Sequence, residues 1–194
     1  MSKTRLEAFS DGVIAILITI LVLELKIPHV DTLEGLRPML PVFACYVMSF
    51  VYLGIYWNNH HHLLHTVDYV NGRILWTNLH LLFWLSLIPF ATAWMGENHF
   101  SPVPTAVYGG ILWMAAVAFT VLVRTIVASQ GARSTLRAAL GRDRKGKISL
   151  VLYSVAIAAT FFDHWISVGL YVLVAMIWFV PDSRIESRLK PLKE

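Results

Sequence analysis

Four histidines, His60, His61, His62 and His65, crowd one short stretch of a chain otherwise poor in ionisable groups. Asn58 and Asn59 precede them. Asp11 follows Phe9 and Ser10 near the N-terminus, and Asn78 and His80 lie further on. Side chains of these types bind metals, move protons or hydrogen-bond to one another. On a helix, His61 and His65 share a face, as do His62 and His65, so a two-histidine metal pair is geometrically possible. No cysteine or carboxylate completes the set, and Asp68 is the nearest candidate. Consecutive histidines also point in different directions around a helix. The expectation is therefore no metal site and no cofactor. Cys45 is the only cysteine, which excludes an intrachain disulfide and a cysteine-based metal centre. Nor is there a Gly-rich phosphate loop, a Gly-x-Ser-x-Gly or a His-Glu-x-x-His, so nothing supports an enzyme.

The elements that carry these residues are apolar. The chain is 57% hydrophobic and 14% charged. Soluble domains carry about 25% charged residues, so a surface facing lipid suits this composition better than one facing water. A membrane-spanning helix needs about 20 mostly apolar residues. Six such spans are expected, over 6–26, 38–66, 73–95, 105–128, 147–162 and 165–181. The fold class is an all-α integral membrane protein with one six-helix domain over 1–194. Pro28 closes the first span, and the run GENHFSPVP reads as a loop. The first apolar run continues into Glu24 and Lys26 without a small-residue cleavage site, so a retained helix is expected rather than a signal peptide.

With a cytoplasmic N-terminus, six spans put 14 of the 16 Lys and Arg residues on the inner side, leaving Lys26 and Arg37 outside. Five or seven spans would scatter this separation. Both termini are therefore expected in the cytoplasm, with the protein in the cell membrane. The net charge of +4 comes from residues flanking apolar segments, so nucleic acid is not an expected partner. The segment Ala132–Lys147 reads as a cytoplasmic loop that fixes topology, or as an interfacial helix with Leu136 and Leu140 among arginines.

Depth brings the polar residues together. Asp11 lies about two turns from the inner end of the first span, and Asn78 and His80 about two turns into the third. At 1.5 Å per residue these levels agree within roughly 5 Å. The second span delivers Asn58, Asn59 and its histidines near the same level. Two readings stay open. Arg5, Ser10, Asp11, a Trp57 or Asn58 group, His60 or His61, and Asn78 could satisfy one another and hold the bundle. Alternatively, they line an aqueous path or carry protons. Further along the first helix, Ile16, Ile20 and Leu23 share one face, while Gly12, Ala15 and Thr19 form a small-residue face. Spacing alone makes these packing or lipid contacts. Thr19 can bond back to its own helix.

The run RLEAFSDGVIAILITILVLELKIP resembles the signature first helix of the transmembrane protein 175 family of lysosomal and prokaryotic potassium channels. Its Arg-x-x-x-Phe-Ser-Asp motif stands as Arg5, Phe9, Ser10 and Asp11. The resemblance continues through Tyr56, Trp57 and His60 in the second helix, and through Asn78 and the Ser86–Pro89–Phe90 end of the third. It implies a homotetramer with four first helices around a central pore and no carbonyl filter. By position after the motif, Ile16, Ile20 and Leu23 would narrow that pore, with Ile16 forming the tightest ring. Thr19 would contribute a selectivity layer. Arg5, Phe9, Ser10, Asp11, Trp57, His60 and Asn78 would support the pore helix. Glu24 would sit near the outer mouth, attracting cations or simply solvated. The implied permeant ion is potassium, and the partners are membrane lipid and further copies of the chain. A proton-coupled transporter or proton-leak pathway is the alternative, motivated by Asp11 and the histidines. A non-conducting assembly protein is a third reading.

Overall fold

The computed structural model describes residues 2–28, 31–130 and 144–179. Every regular element in them is helical. The Ser2 side chain caps α1 (Lys3–Leu23) by accepting from the Arg5 amide at 3.4 Å. Its 21 residues reach about 31 Å, the thickness of a bilayer's hydrocarbon core. A 3₁₀ turn (Leu33–Met39) leads into α2 (Leu40–His65), which opens with Pro41 in its first turn, where a missing N–H costs nothing. Asn71 caps α3 (Gly72–Ser86) by accepting from the Ile74 amide at 3.0 Å.

The third span is bent. Helix α3 ends at Ser86, and α4 (Ile88–Glu97) begins after Leu87. Pro89 has no N–H for the Leu85 carbonyl, which interrupts the ladder there. Leu87 keeps a right-handed helical conformation and its carbonyl accepts from the Ala91 amide at 3.1 Å. The path therefore continues as one kinked crossing from Gly72 to Glu97. His99 and Phe100 take positive φ values of 51° and 60°. The Phe100 side chain is buried, with its ring 5.3 Å from that of Trp165. Helix α5 (Pro102–Gln130) is the longest. Helices α6 (Arg144–Ala159) and α7 (His164–Phe179) form a hairpin. The turn between them folds the Phe162 and Asp163 amides onto the Ala159 carbonyl, and Asp163 accepts from the Trp165 amide at 2.8 Å.

Contacts between helix ends show the alternation of an up-and-down bundle. Lys3 Nζ donates to the His65 carbonyl at 2.8 Å, joining the start of α1 to the end of α2. At that same end Asn71 Nδ2 donates to Ser129 Oγ at 3.1 Å, joining α3 to α5. At the opposite end Lys26 pairs with Glu97 at 2.5 Å. The hydrogen bond and charge of Glu97 hold the Lys26 ammonium above its ordinary pKa. The chain is a multi-pass membrane protein, and its described residues form six helical stretches, counting Gly72–Glu97 as one. Four of them are long and apolar enough to cross by length and composition alone. The last two are shorter, with 16 residues each in α6 and α7. Most of the basic segment Ala132–Lys147, with Leu136 and Leu140, lies outside the described residues, as does the tail beyond Phe179.

Helix α1 packs on α2, α3 and α4; α5 packs on α3 and α4, and α6 and α7 pack on α5 and on each other, with α7 also reaching α2. A seam of hydroxyls joins the two halves. Thr92 donates to the Ile88 carbonyl at 2.7 Å, so Ser49 donates to Thr92 at 2.7 Å and Tyr108 to Ser49 at 3.0 Å. Tyr52 donates to the Tyr171 carbonyl at 2.6 Å, and Tyr171 to the Thr105 carbonyl at 3.1 Å. Glycine is required at Gly109, where an added Cβ would lie 2.0 Å from the Tyr171 hydroxyl.

Candidate pore helix and its support

The two faces of α1 have different fates. Leu6, Ser10, Ile14, Leu17 and Leu21 are buried against the other helices. The opposite face is left bare: Ile16 is 59% exposed, Leu23 79% and Phe9 48%. Phe9, Ile16 and Leu23 recur at seven-residue spacing, so they stack in one stripe about 21 Å long. Gly12, Ala15 and Thr19 are exposed beside them, and Ile20 is half-buried at the edge. Thr19 Oγ1 donates to the Ile16 carbonyl at 2.8 Å, which satisfies the hydroxyl within its own helix. The oxygen's lone pairs remain available on the exposed face. The small-residue face that suited close packing touches no helix of the same chain at Gly12, where a Cβ would meet open space.

On the buried face the polar residues join. His60, on α2, meets Asn78, on α3, at 2.6 Å between Nε2 and Oδ1. Asn78 Nδ2 donates to Ser10 Oγ at 3.0 Å. Because the amide oxygen accepts, His60 carries its hydrogen on Nε2. All three side chains are fully buried. One amide thus uses both ends to tie α1, α2 and α3 together. Just outside this chain the Trp57 indole donates to Asp11 Oδ1 at 3.0 Å, an α1–α2 bond at an exposed position. Asp11 and Ser10 are adjacent, so the two bonds act on one turn of α1.

Other polar residues at this depth go elsewhere. His80 accepts from the Trp84 indole at 3.0 Å on an exposed face. Asn59 bonds back to the Ile55 carbonyl at 2.8 Å. His61 is exposed and stacks on Trp57, with ring centres 6.1 Å apart. The Arg5 side chain is exposed and forms no hydrogen bond or ion pair among the described residues, and Phe9 faces outward. Glu24 is exposed at the far end of α1. Among the described residues no group of three or more His, Cys, Asp or Glu could hold a metal ion. The hydroxyl seam of Ser49, Thr92 and Tyr108 escapes a reading of the sequence that follows only ionisable groups and amides.

Comparison with known proteins places this arrangement. Residues 5–89, from the first motif arginine to the kink proline, match the family described as endosomal/lysosomal potassium channel TMEM175. A potassium channel of Chryseobacterium sp. (strain P1-3) is 55% identical over 190 residues, which cover 98% of this chain and 99% of that one. The chain belongs to the TMEM175 family. A second relative, a potassium channel of Chamaesiphon minutus (strain ATCC 27169 / PCC 6605), is 33% identical over 187 residues, covering 89% of this chain and 91% of that one. The likeness extends to three dimensions. The crystal structure of a lysosomal potassium-selective channel TMEM175 homolog from Chamaesiphon minutus superposes with a TM-score of 0.81 at 30% identity, over 93% of this chain and 97% of that one. The TMEM175 match covers the first two spans and the third as far as its kink, including Ser10, His60 and Asn78, and the structural match extends over 93% of the chain.

Proposed function

We propose that this chain is a potassium-permeable channel of the cell membrane, assembled as a homotetramer with α1 from each copy lining a central pore. The observation that carries the reading is the bare stripe of Phe9, Ile16 and Leu23 on a helix whose opposite face is anchored by buried hydrogen bonds. Those bonds fix which face of α1 is left bare. Four copies facing an axis would bring Ile16, Ile20 and Leu23 into successive apolar rings, with Ile16 the tightest. Such rings gate by dewetting. Potassium releases hydration water more readily than sodium, so a narrow apolar passage favours it modestly. Thr19, one turn beyond Ile16, would place a layer of hydroxyl oxygens next to that constriction. Ser10, Asp11, Trp57, His60 and Asn78 would hold each pore helix at its radius without touching the ion, and Glu24 would lie by the outer mouth. The excess of basic residues that the sequence assigns to the inner side supports a cytoplasmic position for both termini.

Flux into liposomes tests this. Potassium flux that persists without a proton gradient is expected; strict dependence on that gradient would support the proton-coupled alternative. Ile16→Asn should widen the wetted passage and raise sodium permeability relative to potassium. An unchanged permeability ratio in that variant would remove Ile16 from the constriction.

A further inference from the structure

Helices α5 and α6 run antiparallel, in a register that two contacts fix. The Trp113 indole donates to Ser154 Oγ at 3.1 Å, at an exposed position. One turn earlier on α5, a Cβ at Gly109 would lie 3.0 Å from Ile157 Cγ1, about one turn later on α6. From Trp113, Arg124 is about three whole turns further along α5. From Ser154, Lys147 is about two whole turns back along α6. Each basic residue therefore lies within about 20° of the residue above it around its own helix. Both are exposed, so Arg124 and Lys147 open onto one side of the α5–α6 pair. Their depths below the Trp113–Ser154 bond differ by about 6 Å at 1.5 Å per residue, which two long side chains can span. Neither forms a hydrogen bond or ion pair among the described residues.

Depth identifies what these cations face. From Pro102 to Arg124, α5 rises about 33 Å, close to the thickness of a bilayer's hydrocarbon core. The pair thus sits where acyl chains meet their headgroups, in the leaflet at the Lys3 end. Neither helix carries an Asp or Glu between Pro102 and Gln130 or between Arg144 and Ala159. Between the pair and Trp113 the exposed flank is apolar: Val121 is 37% exposed and Val151 62%. Thr120, on the same strip, gives its hydroxyl hydrogen to the Ala116 carbonyl at 2.9 Å. A phosphate ester carrying an acyl chain meets both surfaces at once, the anion on the two cations and the chain along the seam. A soluble anion meets only the cations.

We propose that Arg124 and Lys147 form a binding site for the headgroup phosphate of an anionic phospholipid, whose acyl chain lies along the α5–α6 seam toward Trp113. The proposal does not depend on the channel reading. Native mass spectrometry of the purified full-length protein, titrated with phosphatidylglycerol and separately with phosphatidylcholine, tests it. Phosphatidylglycerol should bind about tenfold or more tightly than phosphatidylcholine. Each cation near a membrane surface favours an anionic lipid about fivefold, so Arg124→Gln and Lys147→Gln should each weaken phosphatidylglycerol by about that factor. The double variant should bring it near the phosphatidylcholine level. Arg124→Lys, which keeps the charge, should stay within about threefold of the parent. Arg73→Gln makes the same charge change at the inner end of α3 and should shift binding less than about twofold. Equal affinity for the two lipids, an unweakened double variant, or an equal loss in Arg73→Gln would overturn the site. Displacement of phosphatidylglycerol by an equal concentration of inorganic phosphate would overturn it too, because the apolar seam would then contribute nothing. Helical circular dichroism matching the parent should accompany every variant, since all these positions are exposed.

Discussion

Asn78→Ala tests the anchor of α1 most directly. The Asn78 amide is fully buried and makes two interhelical bonds, one from His60 Nε2 at 2.6 Å and one to Ser10 Oγ at 3.0 Å. Side-chain hydrogen bonds between membrane helices average about 0.6 kcal/mol and reach about 1.7 kcal/mol. Losing both removes roughly 1–3 kcal/mol on that scale. The partners then differ. Ser10 can turn its hydroxyl back to a carbonyl of its own helix. His60 is 1% exposed, so its orphaned N–H adds about 1–3 kcal/mol of uncompensated desolvation. The expected total is about 2–6 kcal/mol. Ser10→Ala breaks only one bond but leaves the buried Asn78 Nδ2 donor unpaired, so it should cost about 2–4 kcal/mol. Because that bond is already absent in Asn78→Ala, the double variant should be little worse than Asn78→Ala alone. Unfolding of purified protein in an SDS titration, followed by helical circular dichroism, reads all three. Additive losses would show that Ser10 and Asn78 act independently, and an unaffected Asn78→Ala would refute the anchor itself.

Two further outcomes follow from contacts elsewhere. Gly109→Ala places a methyl group 2.0 Å from the Tyr171 hydroxyl, so overpacking should cost about 1–3 kcal/mol in the same titration. Tyr171→Phe in that background should recover part of the loss, and a Gly109→Ala variant as stable as the parent would contradict the close approach of α5 and α7. Glu24 is exposed at the end of α1, where its charge can concentrate cations. Glu24→Gln should lower single-channel conductance at low ionic strength. The difference should shrink at about 0.15 M salt, where screening acts over about 8 Å, and a salt-independent effect would argue against an electrostatic role.

The legible parts of this protein are those written as composition or fixed spacing. Long apolar runs separated by Pro, Gly and charge mark the spans. Three matched depths mark Ser10–Asp11, the end of α2 and Asn78 as neighbours. Spacing does not fix how far α2 rotates about its own axis, so His60 and His61 stay interchangeable until packing turns one inward and leaves the other stacked on Trp57. Arg5 and Phe9 belong to the motif yet point away from the buried chain, because a motif records positions without directions. The bend at Leu87 had a signal in Pro89. The seam of Ser49, Thr92 and Tyr108 had almost none: each hydroxyl is tolerated alone in an apolar helix, since it can bond to its own backbone. Only their convergence gives them a role, and convergence is a property of three helices at once.

That distinction bears on how an apolar pore could be built. Each side chain proposed for the constriction on α1 is ordinary in isolation, and an isoleucine stripe would serve equally against lipid. The specificity lies on the opposite face. Ser10 and Asp11 fix the rotation of α1 about its axis, and Lys3 and Lys26 tether its two ends to α2 and to Glu97 of α4. A rotation of about 100°, the angle between consecutive helical residues, would replace Ile16 by a neighbour on the exposed side. In a ring of four such helices the buried hydrogen bonds would therefore decide which side chains meet the ion. Polar residues that never contact potassium would set the width and lining of its path, and substitutions among them should alter permeation as well as stability.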